Sequence, residues 1–124
     1  MAVKVLALDG SPQPQSAADT RQRAGALRGG CHLGQLSDLG MAQAVELGVK
    51  LRERYVPALL PPDAMPAAPL LAVRSSNLQR TVATAAGVLT GLFPNAVGGP
   101  VPAEVRVAPD GACHVQQCRV MKRC

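Results

Sequence analysis

The sequence predicts an α/β domain built around a partial parallel sheet. Two short, largely apolar segments, at residues 3–8 and 70–73, have the length and composition of buried strands. Two longer segments, beginning near residues 37 and 76, carry apolar side chains at the three- and four-residue spacing of a helix face. Strands that alternate with amphipathic helices are typical of a parallel sheet covered by helices.

The length and the turn-forming residues set the domain organisation. A chain of 124 residues has room for one core, so we treat residues 1–124 as a single domain. Its 12 glycines and 11 prolines cluster in segments that we interpret as loops. Residues 13–34 are predicted to form a long loop with one helical turn at 19–27. Residues 95–124 are predicted to be largely irregular, with a short strand at 104–107.

The first long helix is predicted to begin at Ser37, which is a favourable N-cap, with Asp38 in the first turn where the helix dipole favours a carboxylate. Pro57 ends it. Gly48 lies on its apolar face, which predicts a close approach by a neighbouring element because a helix-interior glycine costs about 1 kcal/mol against alanine. The predicted apolar face consists of Met41, Val45, Gly48, Leu51 and Tyr55.

Arg74 follows the second predicted strand and precedes a helix predicted from Ser76 to about Phe93. Free N–H groups and the dipole at a helix N-terminus attract anions, and a guanidinium there can donate two parallel hydrogen bonds to a phosphate. Spacing alone also fits a capped helix start with a solvated arginine beside it. The predicted apolar face of this helix consists of Leu78, Val82, Ala85, Leu89 and Leu92.

The overall charge favours anionic partners without naming one. Lysine and arginine number 13 against 8 acidic residues, which gives a net charge of +5. The chain has no run of five like charges, and Tyr55 and Phe93 are its only aromatic residues. Because bases need aromatic platforms and a basic surface, we expect no nucleic-acid partner.

The cysteines and the N-terminal segment exclude other classes. The cysteines lack the two-residue spacing of a zinc knuckle, so we predict no metal and no cofactor, and leave their redox state open. Residues 3–8 are too short for a signal-peptide core or a membrane span. We therefore expect no transmembrane segment and, by default, a cytoplasmic location. The four cysteines are Cys31, Cys113, Cys118 and Cys124.

Two segments together resemble the histidine acid phosphatases, which are the phosphomonoester-hydrolysing branch of the histidine phosphatase superfamily. They are residues 34–40, with the sequence GQLSDLG, and residues 74–76, with the sequence RSS. Within that family, LRGG at 27–30 resembles the lysophosphatidic acid phosphatase branch. The resemblance extends from 27 to about 94 and implies a three-layer, phosphoglycerate-mutase-like fold.

The resemblance also implies a chemistry. In this family a histidine in an Arg-His-Gly-x-Arg-x-Pro segment attacks phosphorus, arginines hold the phosphate oxygens, and the aspartate of a distant His-Asp pair protonates the leaving oxygen. Arg74 matches the third phosphate-binding arginine, which implies inorganic phosphate or a phosphomonoester as the ligand. Arg80 also matches a family position, where we expect a structural ion pair.

The first strand departs from the family pattern. Residues 8–14 fall on Arg-His-Gly-x-Arg-x-Pro but keep only Gly10 and Pro14, so the nucleophile and both arginines are absent. Neither His32 nor His114 precedes an aspartate, and both are expected to be exposed in loops. We therefore expect a truncated, catalytically incomplete domain without phosphatase activity, whose open sheet a partner protein or a missing C-terminal portion covers.

Two alternatives remain beside this interpretation, and a third is rejected. The chain fits a non-catalytic, degenerate paralogue that keeps weak anion affinity. It also fits a flavodoxin-like protein in which residues 5–12, Ser16 and Thr20 hold a flavin phosphate, although few aromatic residues could stack on the flavin. A haloacid dehalogenase-type nucleophile at Asp9 is disfavoured, because that chemistry needs a second aspartate two positions away.

Overall fold

Strands and helices alternate along the chain in a computed structural model that describes residues 3–66, 70–96 and 102–109. The strands are β1 (Val3–Ala7), β2 (Arg74–Ser75) and β3 (Ala103–Val107). The helices are α1 (Ala17–Arg23), α2 (Asp38–Tyr55) and α3 (Gln79–Leu92), and a 3₁₀ turn at Pro94–Ala96 follows α3.

The strands form one parallel sheet in the order β1-β3-β2. β3 lies in the centre, with Ala7 and Ser75 of its two neighbours both in register with Val107. The predicted α/β class with a partial parallel sheet is confirmed. The short strand predicted at 104–107 is also confirmed, although 95–124 was expected to be largely irregular. Residues 110–124 of that segment lie outside the described residues.

The second strand is not where the apolar run predicted it. Residues 70–73 precede the strand, which consists of Arg74 and Ser75 alone. Of these residues, Val73 alone pairs with β3: its carbonyl accepts a hydrogen bond from the Arg106 N–H at 3.0 Å. Backbone pairing with β3 defines the strand, and the apolar residues before it line a cavity instead. Arg74 therefore lies within β2 and not after it.

The helix boundaries follow local hydrogen bonds. Ser37 caps α2 as predicted, with its Oγ accepting from the Gly40 N–H at 3.1 Å. Helix α3 begins at Gln79 and not at Ser76, because the Leu78 N–H donates to the Ser76 carbonyl at 2.9 Å in a turn before the helix.

Helix α1 lies within the segment 13–34, which was predicted to be a loop with a single helical turn at 19–27. Its N-cap is Ser16, whose Oγ accepts from the Asp19 N–H at 3.2 Å. The helix therefore starts before the predicted turn at 19–27 and ends at Arg23.

The core lies between α3 and one face of the sheet. Phe93 is 1% exposed, and it clusters with the fully buried side chains of Val105 and Val107. Leu89 and Leu92 of α3 complete this contact. Side chains alternate between the two faces of a strand, so the even-numbered positions lie on the opposite face of the sheet. Those positions are Lys4, Leu6, Arg74, Glu104 and Arg106.

Helices α2 and α3 approach each other closely at glycine. A Cβ on Gly48 would collide with the Val88 carbonyl oxygen of α3, which confirms the close approach predicted at this residue. The predicted apolar face of α2 is wrong at its end, because Tyr55 is exposed while Ala44 is buried. The face rotates toward Ala44 because backbone contact with α3 needs small residues at the crossing.

Candidate anion-binding site

Arg74 lies in the edge strand β2 with an exposed side chain. Among the described residues, its guanidinium has no hydrogen-bond or salt-bridge partner. Its position in the ladder fixes the backbone, since Arg74 is in register with Arg106 of β3. All five N–H groups of the Arg74 guanidinium therefore remain available to an anion.

A cavity of about 460 Å³ lies beside this arginine. Its charged side chains are those of Arg74, Glu104 and Arg106. Arg106 donates to the Glu104 carboxylate at 3.0 Å, so part of the positive charge is neutralised within the site. The remaining lining residues are mostly apolar, namely Met65, Pro66, Leu71, Ala72, Val73, Pro102 and Ala103.

The turn after β1 places a carboxylate near Arg106. Gly10 has a φ of +90°, and its N–H donates to the Ala7 carbonyl at 3.0 Å. The Asp9 carboxylate accepts from the Ser11 Oγ at 2.6 Å and from the Ser11 N–H at 2.9 Å. These two bonds lower the pKa of Asp9, and the Arg106 guanidinium adds a smaller effect in the same direction. Asp9 is therefore ionised at neutral pH.

Asn77 ties the segment after this turn to the start of α3. Its side chain is only 5% exposed and bridges two residues more than sixty positions earlier in the chain. Its Nδ2 donates to the Pro14 carbonyl at 2.8 Å, and its Oδ1 accepts from the Gln13 Nε2 at 2.9 Å. Residues 13–14 are thereby held against the β2–α3 connection.

The N-terminus of α3 is already occupied by a carboxylate. The Asp19 Oδ2 accepts from the Gln79 N–H at 2.8 Å, and Leu78 at the N-cap position provides no side-chain cap. The sequence predicted that free helix N–H groups would join Arg74 in binding an anion. This prediction is wrong for Gln79, because α1 places Asp19 on that N–H group first.

We expect the substitution Asp19→Ala to lower the free energy of unfolding by about 1 kcal/mol, the usual value of a helix cap. Asp19→Asn is the matched control, since an amide oxygen can still accept from Gln79 and should lose only a few tenths of a kcal/mol. Urea denaturation followed by circular dichroism measures both. Equal losses in the two variants would show that charge and not the hydrogen bond stabilises α3.

Comparisons with known proteins identify the family of this chain. The profile of the histidine phosphatase superfamily (branch 2) matches residues 4–123. The chain belongs to this superfamily. Lysophosphatidic acid phosphatase type 6 of Mus musculus is 39% identical over 99 residues, and the Homo sapiens protein of that name is 35% identical over the same length. Putative acid phosphatase 11 of Caenorhabditis elegans is 41% identical over 66 residues.

The histidine phosphatase match covers most of this chain but a small part of each relative. The mouse and human alignments cover 78% of this chain and 23% of those proteins. The nematode alignment covers 53% of this chain and 16% of that protein. The chain thus spans about a quarter of the length of these mouse and human relatives.

The other described residues considered for the histidine phosphatase site do not line the cavity beside Arg74. Arg80 donates to the Gln22 Oε1 at 3.5 Å. Within the part of the chain that the structure describes, it does not form the ion pair that was expected for it. His32 is half-buried and not exposed as expected, because residues 26 and 32 bridge across the loop. Cys31 is free and exposed. His114, Cys113, Cys118 and Cys124 lie outside the described residues.

The flavodoxin-like alternative gains nothing from the structure. Ser16 is buried and caps α1, and the Thr20 Oγ1 donates to the Ser16 carbonyl at 2.9 Å. Both hydroxyl groups are thus used within α1 and do not form a cradle for a flavin phosphate. Within residues 3–66, 70–96 and 102–109, no three metal-ligating side chains cluster, and no helix is long and apolar enough to cross a bilayer.

Proposed function

We propose that this chain carries a phosphate-binding arginine of a branch 2 histidine phosphatase, and that this arginine is Arg74. The proposed ligand is inorganic phosphate or a phosphomonoester. One observation supports it above the others: Arg74 is exposed and unpaired among the described residues, in an edge strand whose register fixes its backbone beside a cavity. An arginine with this much free donor capacity suits an ion with several acceptor oxygens.

We further propose that residues 1–124 form part of one domain of this family and bind phosphate without hydrolysing it. On the family's Arg-His-Gly-x-Arg-x-Pro segment, the nucleophile's position is taken by Asp9, and those of the two arginines by Leu8 and Pro12. The ionised Asp9 carboxylate repels a phosphate dianion and is held by Ser11. Groups that act together in catalysis lose nearly all turnover when one is removed.

Titration with inorganic phosphate by isothermal calorimetry tests the binding role. We expect Arg74→Ala to weaken binding by about tenfold, the value of a charge-assisted hydrogen bond. We expect Arg74→Lys to lie between Arg74→Ala and the native chain, because an ammonium group cannot make the bidentate contact. Arg23→Ala, an exposed arginine in the last turn of α1, is the matched control and should bind as the native chain does.

Hydrolysis of an aryl phosphate by the same samples tests the second part of the proposal. The native chain should release no phosphate above the buffer rate. Equal affinities of Arg74→Ala and Arg23→Ala for phosphate would contradict the binding role. Turnover that disappears in Arg74→Ala would contradict the proposed lack of catalysis and require another nucleophile.

A further inference from the structure

A second arginine lies directly beside Arg74. Arg106 of β3 is the residue in register with Arg74 of β2, and paired residues in a parallel ladder place their side chains on the same face of the sheet. Neighbouring strands are about 4.8 Å apart, so two guanidinium groups from these positions can reach one ligand. Both arginines line the same cavity.

Arg74 is unpaired among the residues that the structure describes, whereas Arg106 is held in place. Its Nη2 lies 3.0 Å from the Glu104 Oε2, and its Nη1 donates to the Ala7 carbonyl at 3.4 Å. The Nη1 also lies 3.0 Å from the point where a Cβ would stand on Gly10. Glycine at that turn thus leaves room for the guanidinium at the end of β1. With its side chain 34% exposed, Arg106 still presents unused N–H groups to solvent.

The charges around the cavity leave room for an anion. Two guanidinium groups line it against the single carboxylate of Glu104. From the β1 side, the ionised Asp9 also faces Arg106. Glu104 occupies the Nη2 group of Arg106 but makes no contact with Arg74. The uncompensated positive charge is therefore that of Arg74, in the cavity that both arginines line.

We propose that Arg106 is a second anion-binding residue, which together with Arg74 holds the phosphate group of inorganic phosphate or a phosphomonoester. This inference rests on the proposed role of Arg74 and adds a residue to that site. Glu104 then has a definite effect on affinity: it orients Arg106, and it competes with the ligand for the Nη2 group.

The proposal is tested by phosphate titration of Arg106→Ala and Glu104→Gln beside Arg74→Ala. We expect Arg106→Ala to weaken binding by about tenfold. We expect Glu104→Gln to strengthen it by about threefold, the usual size of an exposed ion pair that no longer competes. Arg23→Ala is again the matched control, because it removes one exposed positive charge on α1, which does not line the cavity, and it should leave binding unchanged. Circular dichroism verifies that each variant is folded.

The double variant Arg74→Ala with Arg106→Ala tests whether the two arginines bind the same phosphate. If they do, the fold-loss of affinity in the double variant is smaller than the product of the fold-losses in the two single variants. Native affinity in Arg106→Ala, together with weakened binding in Arg74→Ala, would overturn this inference and leave the proposed function intact. Native affinity in Arg74→Ala would overturn the proposed function. Should Arg106→Ala not fold, unchanged affinity in Glu104→Gln would count against Arg106.

Discussion

Replacing Gly91 with alanine is expected to lower the free energy of unfolding by about 3 kcal/mol, the upper end of the usual cost of overpacking. A Cβ at this position would collide with the Val45 carbonyl oxygen and lie 2.7 Å from the Val49 nitrogen. Both atoms belong to the backbone of α2, so no side-chain rotation can make room. The helices would have to separate, and the contact between α3 and the sheet would loosen with them.

Gly48→Ala should cost a similar amount, because its Cβ would collide with the Val88 carbonyl oxygen and lie 2.9 Å from the Gly91 Cα. The higher helix propensity of alanine offsets only about 1 kcal/mol of this loss in the free energy of unfolding. Gly40→Ala in the first turn of α2 is the matched control. Its Cβ would meet the Leu36 Cδ1 at 2.8 Å, the end of a side chain that can rotate.

Urea denaturation of the three glycine variants measures these losses in the free energy of unfolding. We expect Gly40→Ala to stay within about 1 kcal/mol of the native chain, and the other two to lose about 3 kcal/mol, which is a large fraction of the stability of a small domain. Native stability in either Gly48→Ala or Gly91→Ala would contradict the close helix crossing, and with it the placement of α2 against the core.

The second large effect is expected from Asn77→Ala, at about 2 kcal/mol of unfolding free energy. The substitution removes the Nδ2 donor of the Pro14 carbonyl and the Oδ1 acceptor of the Gln13 amide, and it leaves a small cavity at a buried position. Asn77 also lies three positions after Arg74. Releasing it should therefore loosen the β2–α3 connection as well as the segment at 13–14.

Gln13→Ala is the control for this prediction, because the Gln13 side chain is exposed and its loss removes only one of the two bonds. We expect it to cost less than 1 kcal/mol, as a solvent-exposed hydrogen bond does. Chemical denaturation of both variants provides the comparison. Equal losses would show that the bond to the Pro14 carbonyl contributes nothing to stability.

Much of the helical structure could be predicted from local sequence signals. Ser37 followed by Asp38 marks the start of α2, and the structure places the cap there. Gly48 on an apolar face indicated a close neighbour, which is α3. These predictions succeeded because caps and helix faces depend on residues a few positions apart.

The errors arose where distant residues decide the structure. Residues 70–73 are apolar, yet the strand is Arg74–Ser75, because pairing with β3 and not apolarity defines a strand. Nothing near Gln79 in the sequence shows that Asp19 caps it from α1.

The pairing of Arg74 with Arg106 likewise depends on strand register across more than thirty residues. β3 carries Glu104 and Arg106 among its valines, which conceals its central position in the sheet. The family resemblance singled out Arg74 but assigned nothing to Arg106, so the neighbouring arginine became visible only in the folded chain.

The most direct measurement of the central claim is the position of a phosphate analogue in a crystal of the native chain. Tungstate has the tetrahedral shape and charge of phosphate, and its anomalous scattering locates it without prior assumption. We predict an anomalous peak within hydrogen-bonding distance of the Arg74 guanidinium, on the side facing Arg106. A peak at the α1 arginines or at the N-terminus of α3, with none at Arg74, would contradict the claim that Arg74 binds phosphate.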